Sequence, residues 1–259
     1  MRIGQPRIEQ TGIIIKSPHE IGIMRRAGRV VSDTVKVLVR EVRPGITTGY
    51  LDEVASECIR KAGAKPSFLG YRGFPKTICV SLNEEIVHGI PGKRLLREGD
   101  IVSMDVGAIV EGYHGDSAIS VGVGGLSETA KALLDAAEGS LDAAIPHCRP
   151  GRRLGDVSWA VQQYAESRGF SVVREYVGHG IGRALHEEPS VPNFGTPGRG
   201  IALRPGMVLA IEPMVNVGTW KTRLLNDNWT VVTEDGTLSA HFEHTIVILD
   251  GEPEVLTAR

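Results

Sequence analysis

The pattern of apolar positions near the N-terminus predicts two consecutive helices. Over residues 17–42, apolar side chains recur every three or four positions, as on one face of an amphipathic helix. Ser17 with Glu20 three residues later is a capping-box signature, and the Arg-Pro-Gly at 43–45 is a stop signal. A second helix is predicted over about 48–62.

A similar order returns later in the chain. Ser127 opens a predicted helix that ends at 149–151, and another is predicted over about 156–168. Four pairs of residues stand 106 positions apart: Pro44 and Pro150, Gly45 and Gly151, Gly49 and Gly155, and Gly63 and Gly169. This register favours an internal duplication with halves at about 17–126 and 127–250. Two similar helix connections in an ordinary α+β protein are the alternative. We expect one domain over 17–259, preceded by an extension over 1–16.

Charged or imidazole side chains interrupt five short apolar runs that otherwise read as strands. Such groups are costly inside apolar strands unless something compensates them, and these runs contain no matching Lys or Arg. Four carboxylates and one imidazole, without thiolates, indicate one or two divalent metal ions. The five residues are Asp105, Asp116, His179, Glu212 and Glu243.

Two of these carboxylates are expected to be neighbours on one hairpin. If Glu111 and Gly112 form the loop between the two runs, Asp105 pairs with Ala118 and Asp116 lies on the same face. The two carboxylates could then share an ion. The alternative is that they are helix caps or exposed strand acids.

The remaining histidines lie in two settings, one in a strand and one in loops. Strand alternation places His241 on the face of Glu243 and His244 on the opposite face, so His244 is not counted as a ligand. His88 and His186 lie beside glycines or acids in loops, a setting that favours function. The segment HEEPS is not a zincin motif, because Ser190 stands where HExxH needs its second histidine.

The composition mainly argues against certain partners and cellular locations. The 259 residues are 41% hydrophobic and 23% charged, with a formal net charge of −2, so nothing global indicates a nucleic-acid or membrane partner. No apolar stretch is long enough for a secretory signal or a membrane span. Three widely spaced cysteines, Cys58, Cys79 and Cys148, argue against a disulfide framework and fit a reducing cytoplasm.

Six stretches carry a resemblance to the type I methionine aminopeptidases that runs along nearly the whole chain, from about Ser17 to Leu256. They are LNEEIVHGIPG, GDIVSMDVGA, GYHGDSA, YVGHGIGRALHEEPSVPN, LRPGMVLAIEPM and HFEHTIVI. The resemblance implies the α+β "pita-bread" fold, in which two pseudo-symmetric halves with antiparallel sheet and flanking helices enclose a dinuclear metal site. The ligands would be Asp105, Asp116, His179, Glu212 and Glu243, with Asp116 and Glu243 bridging two ions of Co, Mn, Fe or Zn.

The resemblance also implies roles in the reaction. A hydroxide activated by the two metals would be the nucleophile, and Glu212 would take its proton and pass it to the leaving amine. His186 would hydrogen-bond the scissile carbonyl, and His88 would contact the peptide near the leaving nitrogen. A methionine pocket would be lined by Phe68, Tyr71, Phe74, Cys79, Leu185 and Trp229. Asn83 and Ser239 match positions that hold a monovalent cation in some relatives.

The function implied by the resemblance is removal of the initiator methionine when the second residue is small. The partner would be an N-terminal Met peptide or nascent chain, with the ribosome a further partner that no residue here indicates, and the resemblance favours a monomer. Other functions stay open: a proline-directed aminopeptidase or dipeptidase, a non-catalytic peptide-binding domain of the same fold, or, more distantly, a two-His-one-carboxylate oxygenase. Position 72 is Arg, and its effect on substrates is open.

Overall fold

Long helices form where the apolar stripes predict them. The computed structural model describes residues 7–8 and 12–259, so part of the expected extension over 1–16 lies outside the described residues. No helix in this described part is long and apolar enough to cross a membrane. The α-helices are α1 (Pro18–Glu41), α2 (Thr48–Lys61), α3 (Glu128–Ala144) and α4 (Leu154–Glu166), and 3-10 turns occupy Tyr71–Gly73 and Ile145–His147.

The strands are mostly short, and all of their pairings are antiparallel. The predicted α+β class is therefore confirmed. The strands are β1 (Arg7–Ile8), β2 (Ile14–Ile15), β3 (Lys65–Pro66), β4 (Cys79–Leu82), β5 (Glu85–Val87), β6 (Ile101–Val110), β7 (Tyr113–Gly122), β8 (Ser171–Val172), β9 (Gly178–Gly180), β10 (Glu187–Val191), β11 (Val208–Ile211), β12 (Met214–Asn216), β13 (Thr222–Leu224), β14 (Val231–Thr233), β15 (Ser239–His241), β16 (His244–Val247) and β17 (Glu254–Val255).

Two larger sheets place the helices and the core. One has the order β3-β6-β4 with β7 paired to β6, and the other has the order β10-β9-β11-β16-β17. α1 packs on β6 and β7, whereas α3 and α4 pack on each other and α3 also contacts β12 and β15. The buried apolar side chains form separate clusters under α1–α2 and under α3–α4. A third apolar cluster draws on both larger sheets, with Cys79 on β4, Tyr113 on β7, Val208 on β11 and Val247 on β16.

Side-chain caps explain where the helices begin. In α1 the Ser17 hydroxyl accepts from the Glu20 N–H at 3.4 Å, and the Glu20 carboxylate accepts from the Ser17 N–H at 2.8 Å, as the capping box predicts. The prediction for α4 was wrong by two residues at its start. Asp156 accepts from the Arg153 N–H at 2.7 Å, so it lies inside the first turn instead of opening the helix.

The predicted register of the carboxylate hairpin is confirmed. Asp105 on β6 pairs with Ala118 on β7, and Asp116 pairs with Gly107. The two loop residues, Glu111 and Gly112, have φ of 50° and 81°, the left-handed geometry of a two-residue hairpin loop. Because strand side chains alternate, Asp105 and Asp116 lie diagonally on one face.

The two helix connections that suggested a duplication are built alike. The Gly49 N–H donates to the Gly92 carbonyl at 2.8 Å, and the Gly155 N–H donates to the Arg199 carbonyl at 3.0 Å. A Cβ would lie 2.9 Å from that carbonyl oxygen at Gly49 and 2.8 Å at Gly155. The same close backbone approach therefore explains both glycines. Duplication of whole halves stays a prediction.

A third close approach joins α1 to the rest of the fold. A Cβ at Gly28 would lie 2.2 Å from the backbone oxygen of Leu256, and a Cβ at Gly115 on β7 would lie 2.8 Å from the Gly28 nitrogen. The helix can reach β7 and the C-terminal segment only because both positions are glycine.

We expect Gly28→Ala to lower the free energy of unfolding by about 1–3 kcal/mol, the usual cost of overpacking. Gly22→Ala is the matched control, since it lies on the same helix and a Cβ there meets nothing within 4 Å. It should be neutral or stabilising by up to about 1 kcal/mol, because Ala favours helix over Gly. Urea unfolding followed by circular dichroism measures both. Equal shifts in the two variants would contradict this packing account.

Candidate metal centre

The five predicted metal ligands converge on one cavity. They come from both larger sheets: Asp105 from β6, Asp116 from β7, His179 from β9, Glu212 from the end of β11, and Glu243 from between β15 and β16. All five line a cavity of about 140 Å³. Residues up to 138 positions apart in sequence thus share one wall.

Glu212 and Glu243 lie beside strands and not within them, and only for Glu243 does this differ from the continuous run expected. β11 ends at Ile211, before Glu212-Pro213, as expected from a proline that cannot donate to the ladder. The break at Glu243 was not predicted. Its N–H donates to the Ala118 carbonyl at 3.0 Å, so the chain leaves one sheet to bond the carboxylate hairpin. This crossing brings Glu243 close to Asp116.

The donor atoms fit a divalent cation. Atoms of Asp116, His179 and Glu243 all lie within 4.8 Å of one another. Buried oxygens of Asp105, Asp116 and Glu243 have no hydrogen-bond partner among the described residues. Leaving buried carboxylate oxygens unpartnered is costly, and oxygen with imidazole ligands suits divalent ions such as Mn²⁺, Fe²⁺, Co²⁺ or Zn²⁺.

The pKa values of the clustered carboxylates also indicate that a positive charge would stabilise the site. Burial, followed by repulsion from neighbouring carboxylates, raises the pKa of Asp116 and of Glu243 well above the usual range. Burial raises the pKa of Asp105 to about 7 and that of Glu212 to about 8. The protein alone therefore resists full ionisation of these groups, and a bound cation would favour it.

His179 is held in the form that a metal ligand needs. Its Nδ1 is 2.9 Å from the Gly180 carbonyl oxygen, and a hydrogen bond to that acceptor requires the proton to be on Nδ1. The lone pair of Nε2 is then free, 3.6 Å from Glu212 Oε1. Burial lowers the pKa of His179 to about 3, so the ring is neutral.

The two other predicted histidines line the same cavity. His186 is exposed just before β10, its Nδ1 lies 2.8 Å from the Tyr71 hydroxyl, and its ring centroid is 4.2 Å from that of His179. His88 follows β5 with φ of 62° and meets the Trp229 ring edge-on at 6.4 Å. The structure therefore brings both beside the carboxylates.

An apolar compartment adjoins the acidic wall. The Phe74 and Trp229 rings meet edge-to-face, with centroids 5.1 Å apart. Cys79 on β4 pairs with Asp105 in the strand register, and burial raises the pKa of its thiol well above the usual value, so it acts as an apolar group. All six predicted pocket residues line the cavity: Phe68, Tyr71, Phe74, Cys79, Leu185 and Trp229.

Asn83 and Ser239 are also in contact. The Ser239 N–H donates to the Asn83 carbonyl at 2.8 Å. The Asn83 side chain bonds Asp100 and the Ile101 N–H, each at 3.0 Å. These bonds explain both residues as loop support, and the monovalent cation stays a prediction.

His241 was missed among the predicted site residues. Its side chain is 3% exposed, and Nε2 lies 3.5 Å from Glu212 Oε2 without a hydrogen-bond partner among the described residues. The alternation that put His241 on the face of Glu243 was the available signal. Arg72 also lines the cavity at its exposed rim.

The sequence profile of metallopeptidase family M24 matches residues 22–250, which include every residue of this site. The chain belongs to that family. Methionine aminopeptidase 1 of Bacillus subtilis is 55% identical over 245 residues, covering 95% of this chain and 99% of the relative. Methionine aminopeptidase 1 of Mycobacterium tuberculosis is 46% identical, covering 93% and 94%.

The fold of this chain is also similar to solved structures of M24 proteins. A crystal structure of methionine aminopeptidase from Thermotoga maritima superposes with a TM-score of 0.94 at 48% identity, covering 95% of this chain and 100% of that one. Prolidase from Pyrococcus furiosus superposes with a TM-score of 0.77 at 19% identity, covering 95% and 65%, which shows the fold alone. The resemblance read from the motifs and the expected pita-bread fold are confirmed, and M24 membership implies divalent-metal binding.

Replacing one carboxylate should separate repulsion from metal binding. We expect Asp116→Asn to raise the midpoint of thermal unfolding in chelator, by about 2–4 °C for each kcal/mol of repulsion removed. Mn²⁺ at about 100 times its dissociation constant should add roughly 2.7 kcal/mol to the unmutated protein and much less to the variant. Differential scanning calorimetry with and without Mn²⁺ measures both effects.

Asp33→Asn is the control for that experiment. Asp33 is an acid on the exposed surface of α1, with a side chain 66% exposed. Its replacement should leave both midpoints unchanged. Mn²⁺ stabilisation that persists undiminished in Asp116→Asn would show that Asp116 holds no ion.

Proposed function

We propose that this M24 chain is a metal-dependent methionine aminopeptidase that removes the N-terminal methionine from peptides and nascent proteins when the second residue is small. One cavity with an acidic wall and an apolar, aromatic wall supports this proposal most strongly. Such a cavity can hold a free amine beside carboxylates while it buries an uncharged side chain. The names of the relatives at 45–55% identity support the same activity.

The apolar wall is suited to methionine in particular. Phe74 and Trp229 form a rigid edge-to-face corner, and the buried Cys79 supplies a small polarisable surface beside it. An unbranched thioether adapts to such a lining and makes favourable contacts with aromatic rings. A charged side chain would lose its hydration against this apolar wall, which supports selection against Lys or Glu as the first residue.

The acidic wall would hold the metals. Asp105, Asp116, His179, Glu212 and Glu243 supply enough oxygen and nitrogen donors for two divalent ions of Mn, Fe, Co or Zn. When bound, such ions lower the pKa of water and polarise a carbonyl group. Asp105 lies on the hairpin beside the pocket residue Cys79, where its carboxylate would also attract the substrate's amine.

Three side chains would handle protons and the peptide bond. Glu212 lies between His179 and His241, at 3.6 and 3.5 Å, and would take the proton of the attacking water and pass it to the leaving amine. If the Nδ1 of a neutral His186 accepts a hydrogen bond from the Tyr71 hydroxyl, the ring proton is on Nε2. The Nε2–H group would then donate a hydrogen bond to the scissile carbonyl oxygen. His88 would bond the peptide near the leaving nitrogen.

The alternative functions have less support. Prolidase-type structures share only 19–24% identity with this chain, so they support a common fold but not a common substrate. A non-catalytic role would leave unexplained why all five ligand positions keep donor side chains. Two metal ions per chain, a monomeric state, contact with the ribosome and a cytoplasmic location stay predictions.

Three peptides test the function directly. With Mn²⁺ or Co²⁺ present, we expect methionine release from Met-Ala-Ser and little from Met-Lys-Ser or from an Xaa-Pro peptide without methionine. A chelator should abolish release and added metal should restore it. Chromatographic detection of free methionine measures this. Metal-independent release, or cleavage only of the Xaa-Pro peptide, would defeat the proposal.

Substitutions test the roles. Glu212→Ala and Asp116→Ala should each reduce turnover to background, because each removes a metal ligand and Glu212 is also the proton carrier. His186→Ala should retain residual activity, about 10²–10³-fold below the unmutated enzyme, the usual cost of one oxyanion donor. Steady-state kinetics on Met-Ala-Ser separates these. Substantial turnover in either ligand variant would mean that the ligand assignment is wrong.

A further inference from the structure

A buried ion pair joins the N-terminal segment to the loop that carries His186. Lys16 Nζ lies 2.6 Å from Glu187 Oε2, and their side chains are 2% and 6% exposed. The two residues are 171 positions apart in sequence. Neither lines the cavity. Lys16 therefore lies outside the cavity, but it forms an ion pair with Glu187, the residue that follows His186.

Hydrogen bonds hold both ends of this pair. The Lys16 N–H donates to the Gly206 carbonyl at 2.8 Å, and its ammonium also donates to the Ile14 carbonyl at 3.1 Å. The second oxygen of Glu187 accepts from the Ala184 N–H at 3.1 Å. One carboxylate thus closes the loop over 184–187 on itself and ties that loop to Lys16.

The packing leaves little freedom around the pair. A Cβ at Gly182 would lie 2.6 Å from both Glu187 Oε1 and Lys16 Cε. On the cavity side, the His186 ring is held by the Tyr71 hydroxyl and by stacking on Tyr71, with centroids 5.4 Å apart. The exposed imidazole is therefore positioned from its backbone side by the ion pair and from its ring side by Tyr71.

We propose that Lys16 is a positioning residue for His186: through Glu187 it fixes the loop that presents the imidazole to the scissile carbonyl. This inference rests on the proposed function. Without the ammonium, the buried Glu187 carboxylate loses its counter-charge, and breaking one partner of a buried pair is strongly unfavourable. The carboxylate would turn toward solvent and move the adjacent His186. A small misplacement of a catalytic group lowers the reaction rate strongly.

The first test compares lysine variants in the metal-loaded enzyme on Met-Ala-Ser. Lys16→Met keeps the length of the side chain and removes the charge, and it should lower kcat about 10- to 100-fold with little change in KM. Lys16→Arg keeps the charge and should recover most of that loss. Lys131→Met is the matched control, because Lys131 forms an exposed pair with Glu128 on α3, and its kcat should be unchanged.

The second test decides whether Lys16 acts through His186. In a His186→Ala background, Lys16→Met should cause no further fall in kcat, because the group that it positions is gone. Mn²⁺ affinity measured by calorimetric titration should be unchanged by Lys16→Met alone. A merely structural role would lower kcat equally in both backgrounds or weaken the metal, and either result overturns the inference.

Glu187→Gln keeps the test decisive if Lys16→Met does not fold. It preserves shape, removes the carboxylate charge, and should lower kcat in the unmutated background but not in His186→Ala. An unmutated enzyme that releases no methionine would overturn the proposed function instead. An active enzyme in which both variants retain full kcat would overturn the positioning role and leave the function intact.

Discussion

Burying four carboxylates side by side has a large free-energy cost, and the rest of the fold must offset it. Asp105, Asp116, Glu212 and Glu243 cannot all ionise in a common apolar surrounding without positive charge between them. Divalent cations would supply that charge, and the neutral His179 would add a ligand without adding repulsion. The fold can thus be understood as a rigid frame that holds acids together against their mutual repulsion.

The frame is rigid because hydrogen bonds join the two larger sheets at the site. The Thr245 hydroxyl accepts from the Asp116 N–H at 3.0 Å and donates to the Asp116 carbonyl at 2.8 Å. The Ser117 hydroxyl donates to the Glu243 carbonyl at 2.6 Å. These bonds fix the candidate ligands Asp116 and Glu243, from distant parts of the chain, in one geometry. The same preorganisation would serve the proposed catalysis, which gains most from groups that need no rearrangement.

Local rules predicted much of this arrangement from the sequence. The period of two and a two-residue loop were enough for the Asp105–Ala118 register, and the capping box placed the start of α1. The break at Glu243 was not predicted, since it depends on bonds to a hairpin more than 120 residues away. The Lys16–Glu187 pair was missed for the same reason. Long-range partners are set by tertiary packing, which no local pattern encodes.

If divalent ions neutralise this buried acidic cluster, anomalous diffraction from crystals grown with Mn²⁺ will locate them. We expect anomalous peaks inside the cavity, among the carboxylates of Asp105, Asp116, Glu212 and Glu243 and the imidazole of His179. Data of good quality with no peak among these residues, or with manganese only at other sites, would contradict it.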